Sequence, residues 1–325
     1  MSWNVFISRR IPEAGIEYLK NAGMKVDVYP HDQAIPRKDL LNRIHKYDAL
    51  LAVLTEQVDQ ELLAAAKQLK IVANYAVGYN NIDVAACSQK GIAVSNTPGV
   101  LTEATADLTF ALILGVAKRI LEGDEMTRSG KFSGWGPLLL LGSDVSGKTL
   151  GVIGAGRIGS ALIQRAAGFD MKIVYTDTRR KYDIEEKFGA KFMSLDELLE
   201  KSDFVTIHVP LNEETHHLID EKRLRQMKKS AYLINTARGP VVDEKALIRT
   251  LEEKRIAGAG LDVYEDEPHL AAGLAELPNT ILLPHIASAT VETRTRMALM
   301  AAENIVAYAR GEIPPNLVNN EIKQT

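Results

Sequence analysis

The segment that most restricts how this chain can fold runs from Thr149 to Asp177, TLGVIGAGRIGSALIQRAAGFDMKIVYTD. An apolar strand, TLGVI, leads into Gly154, Gly156 and Gly159, and an amphipathic helix and a second strand, KIVYTD, follow. A lone G-x-G-x-x-G is a weak signal, but between a strand and a helix each glycine has its own purpose. The first permits a tight turn, the second lets backbone approach a pyrophosphate, and the third lets helix pack on strand. The helix start, with Arg157 and Ile158, offers unpaired N–H groups and partial positive charge to the phosphates. Asp177 closes the second strand 18 residues after Gly159, where a carboxylate accepts from a ribose 2′-hydroxyl and repels a 2′-phosphate. NAD is therefore the expected cofactor. Arg179, Arg180 and Lys181 follow at once and could pair with that phosphate, which keeps NADP open.

The rest of the chain obeys the same alternation. Strand-like runs NVFIS, KVDVY, ALLAV, KIVANYA and IAVSN are separated by segments with apolar residues at helical spacing, such as IPEAGIEYLKNAG and DQELLAAAKQL. LTEATADLTFALILGVAKRI reads as one long buried helix, and the Gly- and Ser-rich EGDEMTRSGKFSGWGPLLLLGSDVSGK as an irregular arm. A second series continues from the glycine loop through FVTIHVPL, AYLINTA, AGAGLDV and TILLPHI. VETRTRMALMAAENIVAYARGEI forms a last amphipathic helix, with Met297 and Met300 in its core stripe. Two parallel α/β units are expected, the second a complete doubly wound series.

Composition narrows the classes of function. The 325 residues are about right for two domains, and 46% apolar with 25% charged residues is ordinary globular composition. A net charge of −3, with Lys and Arg spread along the chain, argues against nucleic-acid binding, which needs a basic stripe. No window approaches the roughly 18 uninterrupted apolar residues of a membrane span. MSWNVFISRR has no basic region followed by a long apolar core, so a cytoplasmic protein is expected. Cys87 is the sole cysteine and reads as a half-buried helical residue. The seven histidines show no ligand spacing, and adjacent His216 and His217 would point to different faces of any regular element, so no metal site is expected.

The stretch LINTARGPVVD ends a short apolar strand on an arginine, Arg238, before Gly239 and Pro240 stop the run. A guanidinium is rarely buried unpaired, and strands of open α/β sheets deliver groups at their carboxyl ends, where ligands bind. An anionic substrate is expected there.

With GAGRIG, NTARG, GLDVYEDEP and PHIASAT in this order, nearly the whole chain resembles the D-isomer-specific 2-hydroxyacid dehydrogenases, closest to their glyoxylate/hydroxypyruvate reductase branch. The resemblance implies a Rossmann NAD-binding domain (residues 100–286, with a dimerisation arm at about 122–147) inserted into a flavodoxin-like substrate domain (1–99 and 287–325). It implies a homodimer and three catalytic residues, Arg238, Glu267 and His285. Reducing a 2-oxo acid delivers a hydride to the ketone carbon and a proton to the developing alkoxide. His285 suits the proton transfer near neutral pH. Glu267 beside it would favour the imidazolium and orient the ring. Arg238 offers a rigid fork that holds the carboxylate and polarises the keto oxygen. Glu265 is a rival to Glu267, which the family spacing selects.

Further roles come from the same resemblance. Backbone N–H groups of Val77 and Gly78, in NYAVGYNNID, receive the substrate carboxylate, and Leu54 lines the pocket or packs in the core. Thr105, Val209, Pro210, Thr215, Thr236, Ala237 and Asp262 line the dinucleotide, with Asp262 near the carboxamide. Ser288 bonds substrate or His285, and Trp135 caps the partner's cleft or is buried in the dimer interface. The expected activity is NAD(H)-dependent reduction of a small 2-oxo acid, glyoxylate or hydroxypyruvate first, with D-3-phosphoglycerate and 2-oxogluconate-type enzymes as rivals. A formate dehydrogenase would carry glutamine at position 267. An NAD-sensing corepressor-like binding protein shares the fold and is the alternative of another class.

Overall fold

The computed structural model describes residues 2–322. By its contacts the chain divides into two units, Met1–Leu101 with Ser288–Thr325, and Thr102–Ala287. Each is built on one all-parallel sheet.

The first unit contains β1 (Asn4–Ile7), β2 (Lys25–Val28), β3 (Ala49–Ala52), β4 (Ile71–Asn74) and β5 (Ala93–Ser95), in the order β2-β1-β3-β4-β5. This is the flavodoxin-like arrangement. The period-2 alternation of side chains divides the core between the two faces. Phe6, Leu50, Val72 and Val94 point to one layer, with Leu40, Leu62 and Cys87 from the covering helices. Val5, Ile7, Leu51, Ile71 and Ala73 point to the other, against Ile16 and Leu19 of the Glu13–Asn21 helix and Met297, Ala301 and Ile305 of the Val291–Ala309 helix. These two helices touch closely, since a Cβ on Gly15 would lie 2.8 Å from Ala298. Cys87 is fully buried, and burial pushes its thiol up to about 12, so it stays protonated and inert at neutral pH.

The second unit contains β6 (Thr149–Ile153), β7 (Lys172–Thr176), β8 (Lys191–Phe192), β9 (Phe204–Ile207), β10 (Tyr232–Asn235), β11 (Gly258–Leu261) and β12 (Thr280–Leu282). Their order, β12-β11-β10-β9-β6-β7-β8, is the Rossmann order with one added edge strand. The chain winds outward from β6 in one direction, then in the other from β9, so the switch point falls beside the glycine loop. The central strands are apolar on both sides: Val152, Phe204 and Ile234 meet the Thr102–Lys118 helix layer, while Val205, Leu233 and Leu261 meet Leu198, Leu224 and Leu247.

Two local features differ from the sequence reading. The long buried helix ends at Lys118, and Arg119, with φ of 55°, begins a separate helix, Ile120–Arg128, which runs from the last residue read into the long helix into the stretch read as irregular. That helix buries no residue, so the apolar signal that marks a helix is missing from it. Its support includes ion pairs one turn apart, Arg119 with Glu122 and Arg128 with Asp124. Strand β8 was not anticipated; two exposed residues on a sheet edge carry too little pattern.

Candidate active site

Apart from Thr105 in the Thr102–Lys118 helix and Trp135 in the arm, the candidate residues of the second unit follow the carboxyl ends of its strands. The glycine loop after β6 separates the three glycines by what surrounds them. A Cβ on Gly154, whose φ is 92°, would meet the His208 backbone at 2.9 Å, and one on Gly159 would meet the Gly154 carbonyl oxygen at 2.2 Å. A Cβ on Gly156 would meet nothing within 4 Å. The protein's own packing explains the outer two glycines but not the middle one, which leaves open backbone at a helix N-terminus where a pyrophosphate fits. Beside this loop His208 is half-buried, its Nε2 is shut off from solvent without a hydrogen-bond partner, and desolvation pushes the imidazole down to about 4. These residues fit a dinucleotide. Asp177 at the end of β7 accepts from the Ala155 N–H at 2.9 Å, which ties it to the loop. Of the cations after it, Arg180 is engaged by Glu185 at 2.8 Å, and Arg179 is exposed.

Arg238, Glu267 and His285 lie beyond β10, β11 and β12. The turn after β10 is made by Asn235, whose side chain accepts from the Ala237 N–H at 3.0 Å and donates to the Arg238 carbonyl at 2.9 Å. The Arg238 guanidinium donates back to the Ala237 carbonyl at 2.7 Å. Burial pulls its pKa below the ordinary arginine value, and Glu267 opposes that. Glu267 Oε1 accepts from the Tyr264 N–H at 3.1 Å, while Oε2 lies 2.8 Å from His285 Nδ1. Burial pushes the Glu267 carboxyl up, but the hydrogen bond and charge of His285, the Tyr264 N–H and Arg238 together hold it below the usual carboxylate range. An ionised Glu267 accepts a hydrogen bond from Nδ1–H and leaves Nε2 turned to other partners, as a donor in the protonated ring and an acceptor in the neutral one.

His285 is a non-glycine residue at φ of 54°, a left-handed conformation that costs free energy and persists only where its surroundings impose it. The imposing group is Asp262. Its two carboxylate oxygens accept from the Ile286 and Ala287 N–H groups, each at 2.8 Å. Asp262 is fully buried, and that burial raises its carboxyl above the usual range despite both amides and the His285 charge. Tyr264 lies outside the residues that sequence spacing singled out, yet it supports the same centre. Besides holding Glu267, its hydroxyl donates to the Leu283 carbonyl at 2.8 Å, two residues before His285. The two candidate glutamates part company here, for Glu265 bonds His217 rather than His285.

The remaining candidates are placed as follows. The Thr109 hydroxyl meets that of Thr236 at 2.8 Å and donates to the Thr105 carbonyl, joining the long helix to the end of β10. Val209 and Pro210 follow β9, and the Thr215 hydroxyl folds this loop by donating to the Pro210 carbonyl at 2.6 Å. Trp135 is exposed in the arm. His217 has φ of 49°, so the segment is no regular element and the expectation of opposite faces fails: the His216 and His217 rings stack 4.1 Å apart. With Glu265 they bring three donor atoms within 4.8 Å of one another, a grouping that linear spacing did not reveal.

In the first unit Leu54 follows β3, Val77 and Gly78 follow β4, and Ser288 precedes the Val291–Ala309 helix. Asn96 donates to the Val77 carbonyl and Asn74 to the Gly78 carbonyl, each at 2.8 Å. Because N–H and C=O point opposite ways across a trans peptide, the Gly78 and Tyr79 amides are turned away from those asparagines.

Comparison with known proteins shows the family and the fold. Residues 110–287 match the family described as D-isomer specific 2-hydroxyacid dehydrogenase, NAD binding domain. A glyoxylate reductase of Thermococcus litoralis is 52% identical over 99% of this chain and 98% of its own. The crystal structure of a glyoxylate reductase from Paecilomyes thermophila superposes with a TM-score of 0.87 at 35% identity, covering 99% of both chains. An NADPH-dependent glyoxylate/hydroxypyruvate reductase from Sinorhizobium meliloti, solved with NADP and malonate, gives 0.87 at 29% identity over 100% of this chain and 99% of that one.

Proposed function

The chain belongs to the D-isomer-specific 2-hydroxyacid dehydrogenases, an NAD(P)-dependent oxidoreductase family, and from that membership we propose that it reduces glyoxylate and hydroxypyruvate to the corresponding 2-hydroxy acids. The observation that carries the reading is the His285–Glu267 pair at 2.8 Å, with the Arg238 charge acting on the same carboxylate. The reduced dinucleotide, when bound, supplies the hydride for the carbonyl carbon. Arg238 holds the substrate carboxylate and keto oxygen with its fork of donors. His285 gives its Nε2 proton to the oxygen that the reduction charges, and Glu267 keeps the ring oriented and stabilises the imidazolium before transfer. The Gly78 N–H, with that of Val77, is assigned to the substrate carboxylate. Thr105, Val209, Pro210, Thr215, Thr236, Ala237 and Asp262 are assigned to the dinucleotide, and Leu54 and Ser288 to the substrate pocket.

NAD over NADP is the proposed preference, supported by Asp177 after β7 and by the engagement of Arg180 with Glu185. A homodimer is also proposed, supported by the apolar residues that the arm leaves exposed, and a cytoplasmic location is proposed from the sequence. No described helix is long and apolar enough to cross a membrane. The test is NADH or NADPH oxidation followed at 340 nm against glyoxylate, hydroxypyruvate, 3-phosphohydroxypyruvate and 2-oxogluconate. The first two should give the highest kcat/KM, with NADH. A clear preference for either larger acid would replace the substrate assignment.

A further inference from the structure

The segment that carries Glu267 is anchored by packing only at its ends, where Tyr264 is buried and Ala271 packs against the same core. Residues 266–270 are all exposed, so apolar burial does not fix where Glu267 stands. Besides the Tyr264 N–H on Glu267 itself, the segment is held by one buried carboxylate that has no part in the proposed reaction steps. Glu244 is the first residue of the Glu244–Glu252 helix, after the Asp243 cap, and its side chain is buried. Its Oε2 accepts from the Glu265 N–H at 2.8 Å and its Oε1 from the Ala271 N–H at 3.0 Å. Those two amides straddle Glu267. The tie is reciprocal, since the Glu244 N–H donates to Glu265 Oε2 at 3.3 Å. The other Glu265 oxygen is held by His217 Nε2, and the backbone of His217 is anchored in turn by its N–H on the Pro240 carbonyl at 2.8 Å. Gly239, the residue after Arg238, lies flat on this segment, because a Cβ there would fall 1.9 Å from the Tyr264 carbonyl group.

We propose that Glu244 is a positioning residue for the oxo-acid reduction: its carboxylate, extended by Glu265 and His217, fixes the segment between Tyr264 and Ala271 so that Glu267 stays on His285. Both bonds to Glu244 are made by backbone amides, so the brace depends on its two acceptor oxygens and not on the identity of the residues held. Burying a carboxylate is costly unless hydrogen bonds compensate, and here that cost is tied to the placement of one short exposed segment. Placement matters for the reaction because an error of about 1 Å in a catalytic group can cost on the order of 100-fold in rate. The role rests on the reading of His285 and Glu267 given under Proposed function.

The test is Glu244→Gln, which keeps the volume but turns one acceptor into a donor facing an N–H. Its kcat with the best oxo acid of the wild-type panel should fall about 10- to 100-fold. NADH affinity, read by quenching of protein fluorescence, should change less than about twofold, because the Glu244 carboxylate bonds Glu265 and Ala271 rather than the glycine loop. The alkaline limb of kcat/KM should move to lower pH as the loosened Glu267 supports the His285 imidazolium less. The charged groups acting on that pair are Asp262 on His285, and Arg238 and Asp262 on Glu267, and the substitution touches none of them. A substrate-free readout, the NMR titration of the His285 ring in unliganded protein, should move in the same direction. That separates the proposal from the substrate assignment: no turnover in wild type with the panel would fail the assignment alone, while the ring titration still tests Glu244. An unmoved limb and ring titration, with or without a loss of kcat, would overturn the proposal. Should Glu244→Gln not fold, His217→Gln works at the far end of the same brace. It should give a smaller shift of the same sign, and its absence would overturn the proposal equally.

Discussion

At the scale of single residues, the proposed site is three side chains whose assigned roles follow from what each touches. Sequence alone could place Arg238 and His285 at strand ends, because an arginine before Gly-Pro and a histidine after a buried strand break an apolar pattern visibly. It could not separate Glu265 from Glu267 without the family spacing; in the structure one faces His217 and the other His285. Nor could it show that Asp262 clamps the two amides after His285, since that bond spans 24 residues and leaves no local signature. Replacing Arg238 with Lys exchanges a fork for a point charge, so kcat/KM for glyoxylate should fall by about 10- to 100-fold, the worth of one charge-assisted bond at roughly 1.5–3 kcal/mol. Steady-state kinetics that leave kcat/KM unchanged would remove Arg238 from substrate recognition. Asp177→Ala should narrow the NADH-over-NADPH ratio, mainly by relieving repulsion of the 2′-phosphate. A constant ratio would mean that Asp177 only ties the glycine loop together.

At the scale of elements, the strands and most helices were legible because burial on both sheet faces writes continuous apolar runs, and covering helices write a 3.6-residue stripe. The Ile120–Arg128 helix and the two-residue edge strand were not legible, and both lack burial. The strand–loop–helix unit of the glycine fingerprint yields a test that separates fold from ligand. Gly156→Ala places a methyl group in open space, so the melting temperature of the unliganded protein should hold to within a loss of about 1 kcal/mol at this helix cap. Its NADH affinity should drop, because that space is where the pyrophosphate approaches. Gly159→Ala drives a methyl group into the Gly154 carbonyl oxygen and should lower the melting temperature even without cofactor. If both variants melted alike and bound NADH alike, the glycines would not divide their roles in this way.

At the scale of the whole molecule, two parallel sheets of five and seven strands account for every described strand. The doubly wound class was readable from the regular alternation of elements, whereas the strand orders depend on long-range pairing and came through the resemblance. The arm of the second unit leaves Trp135, Leu138 and Leu141 at 85%, 80% and 62% exposure, a large apolar outlay for a single chain. Light scattering should therefore give about twice the 35.7 kDa of the chain, and Leu138→Asp should shift the mass toward one chain. A wild-type mass of one chain would exclude the homodimer. The central claim is that His285 delivers the proton to the reduced oxo acid. It is tested most directly by the turnover of His285→Ala with NADH and glyoxylate at neutral pH, with NADH affinity measured alongside. The kcat should fall by about 10²–10⁴-fold while the cofactor still binds. A variant that binds NADH and turns over at nearly the wild-type rate would contradict it.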